Sequence, residues 1–211
     1  MKAQMALAEE RGRVEAAERA AAQANLRALQ AQIEPHFLFN THANVVGLIH
    51  PHPDTAKLML ENFIAYLRAS LANTRDTEST LGGEFKLMEH FLALLQIRMG
   101  DRLQVSTMLP SDLAFVNIPP MLLQPLVENA IKHGLEPKLD GGRIELRAER
   151  DGDGVNVSII DDGVGFSGAT SNGIGLKNVR ERMERLFDGK GSMVIEENQP
   201  SGTRVVLRIP S

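Results

Sequence analysis

The apolar residues of this chain change their spacing once, near residue 102, and that change restricts the folds open to it. Before it they recur at intervals of three and four, the period of a helix with one buried stripe. After it come short runs that alternate apolar with polar residues or are apolar throughout, broken by glycine-rich turns. Helices first, then an α+β sandwich with helices on one face of a mixed sheet, is the architecture this predicts. The 211 residues suffice for one large domain or two small ones. The predicted division is 1–75 for the helical region and 80–211 for the sheet region, with the polar stretch 73–79 as a hinge.

Residues 1–33 are rich in Ala, Glu, Arg and Gln. Leu7, Val14, Ala21 and Ala28 recur every seven residues, with Ala17, Ala24 and Ala31 at the second seam position, which predicts a small-residue coiled coil. The helix expected next carries Leu26, Leu29, Ile33, Phe37, Asn40 and Asn44 in its stripe, and His36 one step off it. Pro35 lacks an amide donor and clashes with the carbonyl of Ala31, so a kink or restart is expected just before His36. Through Val45, Val46 and Ile49 the helix should continue, breaking at His50-Pro51-His52-Pro53. His50, His52 and Asp54 could be metal ligands; alternate prolines and the lack of a third, suitably spaced histidine favour a plain turn. Asp54 is expected to cap a second helix with Leu58, Met59, Phe63, Ile64, Leu67 and Leu71 on its apolar face. Two such helices form an antiparallel hairpin, and hairpins from two chains would close a four-helix bundle, which predicts a homodimer.

A third helix is expected over 81–99, ending at Gly100. Strands are expected at 102–108, 143–149, 155–160, 193–196 and 203–209, and helices at 121–133 and 176–187. Three clusters in this half carry chemistry. On the helix containing Gln124-Pro125-Leu126-Val127-Glu128-Asn129, followed by Lys132-His133-Gly134, the side chains of Glu128, Asn129, Lys132 and His133 lie within a turn of one another. A carboxylate, an amide oxygen and two possible cations suit Mg²⁺ and phosphates, although a capped helix with a solvated polar face would need no more. Asp161-Asp162-Gly163-Val164-Gly165 closes an apolar strand, where alternate glycines let a flat ligand approach the backbone; a β-turn would satisfy the same string. Gly173-Ile174-Gly175-Leu176 runs into a helix whose first N–H groups can face a phosphate, or can simply start a helix.

Gln32 to Asn40, the string Q-I-E-P-H-F-L-F-N, resembles the phosphoacceptor segment of LytS-type sensor histidine kinases in every fixed position. The three later clusters, in this order and spacing, resemble the N, G1 and G2 boxes of the GHKL (Bergerat) ATPase fold. The resemblance covers residues 26–210. It implies that His36 accepts the γ-phosphoryl group of ATP and passes it to an aspartate on a response regulator receiver domain. It further implies that Asn129 holds Mg²⁺, that Glu128 is the polarising base, and that Lys132 and His133 meet the phosphates. Asp161 would accept the adenine amino group, while Gly163, Gly165, Gly173, Gly175 and Leu176 would shape the nucleotide loop around a lid at 166–172. Pro125 replaces the second Asn common in other histidine kinases, Asp162 the usual Asn of the G1 box, and Phe37 follows the histidine where an acid is common. An ATP-gated ATPase without histidine phosphorylation, or a noncatalytic dimer scaffold, is the alternative.

A net charge of −4 provides no electrostatic case for nucleic acid, and the lack of cysteine excludes disulfides and thiolate chemistry. No apolar run approaches the roughly 20 residues that cross a bilayer. The expected location is therefore the cytoplasm, either alone or as the cytoplasmic part of a longer membrane-bound sensor.

Overall fold

The computed structural model of the chain describes residues 35–73, 79–165 and 174–210. The seam expected over 1–33, most of the hinge, Gly173 and the lid at 166–172 lie outside the described residues. The chain divides into two compact units, 1–47 and 48–211.

In the first unit the described chain is helix α1 (Pro35–Leu48), which carries His36 in its first turn. It ends ahead of the His50-Pro51-His52-Pro53 turn, as the alternate prolines predict. Helix α2 (Pro53–Asn73) starts on Pro53 itself, with Asp54 in the first turn. Asp54 is therefore the second helical residue rather than the cap expected from the sequence, a position where an acid favours the helix dipole.

The apolar surface of α2 splits into two stripes about 100° apart. Ala56, Met59, Tyr66 and Ser70 are buried, with Phe63 between them half-buried. Leu60, Ile64 and Leu71 form the neighbouring stripe and are exposed. The single face expected from sequence mixed members of both, because spacing alone cannot assign a two-sided helix to its neighbours. The buried stripe packs on α3 (Leu81–Met99), where the rings of Tyr66 and Phe91 lie 5.7 Å apart.

Helix α3 has the bounds predicted. Thr80 caps it by accepting from the amide of Gly83 at 3.1 Å, and Gly100 ends it at a φ of 60°. One face, with Leu87, Met88, Leu92 and Leu95, is buried. A five-stranded sheet follows in the order β2 (Leu103–Met108), β4 (Gly142–Asp151), β5 (Gly154–Asp161), β7 (Thr203–Ile209), β6 (Ser192–Glu197). β2 runs parallel to β4 and the other pairs are antiparallel. In register, Leu146, Ile159 and Val205 lie across three central strands, and all three are buried. A two-residue strand, β1 (Ser79–Thr80), pairs antiparallel with β3 (Asn117–Ile118), a contact too short to leave a sequence pattern.

Two further helices cover the sheet. Helix α4 (Gln124–Asn129) continues as a π-helical stretch, Ala130–Leu135, closed by the amide of Glu136 on the carbonyl of Ile131 at 2.8 Å. Helix α5 (Ile174–Leu186) packs on α4 and β6. The sequence predicted one regular helix over 121–133. A π turn is invisible to a 3.6-residue period, and such turns concentrate where side chains must be re-aimed.

Candidate functional site

A pocket forms where α4 and its π extension cross the ends of the central strands. Its walls are Leu126, Ala130, Ile159, Leu176, Ile195 and Val205, and its polar lining comes from Asn129, His133, Asp161 and Thr203, with the backbone of Gly134 and Gly165. At the end of β5, only 3% exposed, lies Asp161. Its Oδ1 accepts from the amides of Gly163 at 2.9 Å and Thr203 at 3.3 Å. Burial pushes the Asp161 carboxyl above the usual carboxylate range, while those two amides and Lys138 pull it down and the charge of Asp162 adds to the rise. A buried carboxylate ringed by aliphatic side chains fits a flat, largely apolar ring with a donor on one edge.

Close backbone packing builds this floor. At Gly134 a Cβ would meet the Oδ1 of Asp161 at 2.7 Å, and at Gly163 a Cβ would fall on the carbonyl of Gly134. The amide of Val164 donates to that same carbonyl at 3.0 Å, tying the loop after β5 to the π stretch. Gly202, at a φ of 104°, lets β7 start against the carbonyl of Asp161.

The start of α4 is held from below. Glu84 of α3 is fully buried, and its carboxylate accepts from the amides of Met121 at 2.7 Å, Leu122 at 3.0 Å and Leu123 at 3.3 Å. Met121 takes a positive φ of 56° to present them. Burial raises the Glu84 carboxyl despite these donors, and Arg182 of α5 supplies an opposing positive charge.

Of the residues singled out by sequence, the pocket brings together Asn129, His133, Asp161, Gly165 and Leu176. Gly163 supports the floor, and a Cβ on Gly175 would lie 3.9 Å from the Nδ2 of Asn129, which puts the start of α5 beside that amide. Glu128 and Lys132 do not line it. Asn129 and His133 are one turn apart and share a face, whereas Glu128 and Lys132 share the adjacent one. Glu128 accepts from the Nε2 of Gln124 at 2.7 Å, and Lys132 is exposed. His36 lies in the first unit, in the first turn of α1. Asp162 is occupied elsewhere: its Oδ1 accepts from the amide of Arg143 at 2.7 Å and pairs with Lys138 at 3.6 Å.

Sequence reasoning missed Ile159, Ile195, Thr203 and Val205 in the pocket and Glu84 behind it, and it gave Gln124 no role of its own. The Ser201-Gly202-Thr203 turn could have marked Thr203. The others are ordinary strand or helix residues, chosen by strand order and helix packing.

The family described as "Histidine kinase" matches residues 24–103, and the family "Histidine kinase-, DNA gyrase B-, and HSP90-like ATPase" matches 120–211. The sensor protein LytS of Staphylococcus haemolyticus is 31% identical over 201 residues, covering 89% of this chain and 34% of LytS. The chain thus spans about a third of the length of that curated relative. The uncharacterized protein YwpD of Bacillus subtilis is 31% identical over 193 residues, covering 86% of this chain and 68% of YwpD. Among solved structures, the histidine kinase domain of the Erythrobacter litoralis EL346 blue-light activated histidine kinase superposes with a TM-score of 0.54. It is 17% identical, covering 89% of this chain and 93% of that one. At that identity the likeness shows the fold.

Proposed function

The chain belongs to the sensor histidine kinase family, and from that premise we propose that it is a kinase core that autophosphorylates at His36 from Mg-ATP. The phosphoryl group then passes to an aspartate carboxylate on the receiver domain of a response regulator. The observation that carries this reading is the buried carboxylate of Asp161 at the floor of an aliphatic pocket whose polar side is Asn129 and His133. Asp161 accepts the exocyclic amino group of adenine, and the aliphatic walls hold the ring. Asn129 and His133 then face the phosphates, beside the N-terminus of α5, whose free amides favour anions.

Among the described residues no group of three or more His, Asp or Glu could hold a metal unaided. The amide oxygen of Asn129 is a hard ligand that fits Mg²⁺ when substrate phosphates and water supply the remaining positions. Bound there, the ion would neutralise phosphate charge.

In the proposed transfer a ring nitrogen of His36 attacks the γ-phosphorus, the bond to the β–γ bridging oxygen breaks, and ADP leaves. Glu128 takes the imidazole proton. The reaction asks chiefly for positioning and charge neutralisation. The partner set is a second copy of the chain and a receiver domain. We place the core in the cytoplasm; no described helix is long and apolar enough to cross a membrane. Functionally we assign 1–75 to dimerisation and phosphoacceptance and 80–211 to ATP binding.

Incubation with γ-labelled ATP and Mg²⁺ tests this. Acid-labile, alkali-stable label on the parent, absent from His36→Gln and Asn129→Ala, is the expected result. ATP turnover without label on the parent would instead favour an ATP-gated ATPase.

A further inference from the structure

Helix α2 reaches the nucleotide helix through one chain of hydrogen bonds. The Nε2 of Gln124, first residue of α4, donates to the hydroxyl oxygen of Tyr66 at 3.0 Å and to the Oε1 of Glu128 at 2.7 Å. Tyr66 is 1% exposed and Gln124 is 5% exposed, so water competes little for either bond. Tyr66 is itself held by its tilted contact with Phe91 of α3. The Oε1 of Gln124 is buried and has no hydrogen-bond partner among the described residues.

That orphan oxygen shows what orients the amide. Turning it over would satisfy Oε1 with the tyrosine proton but would set the oxygen against the Glu128 carboxylate. The amide therefore presents its nitrogen to both neighbours and leaves the oxygen unpaired, an arrangement native interiors rarely keep without a purpose. Burial, and then the charge of Glu128, hold the Tyr66 hydroxyl well above its usual range, so it stays protonated and neutral. Glu128 is consequently turned to the α2 side of α4, while Asn129, the next residue, faces the pocket.

We propose that Tyr66 is a positioning residue that sets Glu128 through Gln124, making the orientation of that carboxylate depend on the placement of α2. The inference rests on the kinase reading, in which Glu128 takes the proton of His36. A slide or rotation of α2 that stretches the Tyr66 to Gln124 bond beyond hydrogen-bonding range releases the amide, and Glu128 loses the hydrogen bond that Tyr66 sets through Gln124. Movement of α2 then reaches the proton acceptor without altering the residues that line the nucleotide pocket.

The test is autophosphorylation as a function of ATP concentration for the full chain, Tyr66→Phe, Glu128→Gln and the double variant, with thermal unfolding measured on each. Tyr66→Phe keeps the ring against Phe91 and removes only the hydroxyl. Its kcat should fall about tenfold with KM for ATP unchanged, since neither Tyr66 nor Gln124 lines the pocket. Tyr66→Phe should add nothing in the Glu128→Gln background. Gln124→Leu breaks the chain at its middle and should match Tyr66→Phe, which keeps the test open if the latter does not fold. Unchanged kcat, a raised KM, or additive losses in the double variant would overturn the relay. Glu128→Gln labelling at the parent rate overturns both the relay and the base assignment while leaving the kinase reading standing; a parent that binds ATP without ever labelling overturns all three.

Discussion

Asp161 is pulled two ways: its burial suits the proposed recognition of adenine, and the same burial disfavours its charge. Asp161→Asn keeps an oxygen for the amides of Gly163 and Thr203 but puts a donor where the proposed adenine amino group also donates. ATP affinity should fall by about 100-fold or more, measured by calorimetry, because a buried mismatch of donors costs far more than an exposed one. Stability should move the other way. The folded value is raised above the usual 3.8, so the stability tied to protonation is fully present below that value and is lost as pH rises through the folded value. Urea denaturation from about pH 4 to about pH 7 should therefore show Asp161→Asn gaining on the parent as pH rises. Asp161 was legible in the sequence through the resemblance of Asp161-Asp162-Gly163-Val164-Gly165 to the G1 box, since the string alone would also suit a β-turn. Glu128 was legible as a chemical group but not as a direction, since which face of a helix meets a pocket depends on what packs behind it.

Helices α3 and α4 show how one residue fixes a whole segment. Glu84 collects three amides from 121–123 before α4 begins, so it serves as an N-terminal anchor supplied from 37 residues away. Glu84→Ala leaves three donors unpaired, two of them buried, and should cost about 3–5 kcal/mol in urea denaturation. ATP affinity should drop with it, because Asn129 and His133 ride on that segment. Gly163→Ala probes the joint between the π stretch and the end of β5. Its Cβ would press on the Gly134 carbonyl, which a backbone cannot yield cheaply. A loss of about 1–3 kcal/mol is expected, with weakened nucleotide binding by the same calorimetric assay. The glycines were conspicuous in the sequence, yet their reason was not: it lies in a partner element near in space and distant in the chain.

Across the molecule, α2 is the element whose two sides answer to different neighbours. One stripe packs on α3 within its own unit, and the other, with Leu60, Ile64 and Leu71, is exposed. If the exposed stripe makes the proposed homodimer, Ile64→Glu with Leu71→Glu should yield a monomer in sedimentation velocity while leaving ATP binding intact. The amino-acid sequence by itself determined the order of elements, the bounds of α3 and β7, the turn after α1 and the identity of the polar groups Asn129, His133 and Asp161. The first three follow from local causes, side-chain period and proline and glycine geometry, and the polar groups from the family motifs that their clusters resemble. Tertiary structure alone decided the π turn, the β1 to β3 pair, the capture of α4 by Glu84, the occupation of Asp162 by Arg143 and Lys138, and the turning of Glu128 toward Tyr66. Each of these depends on which of several equally apolar or polar faces meets a partner many residues away, and that choice is made by packing the whole unit at once.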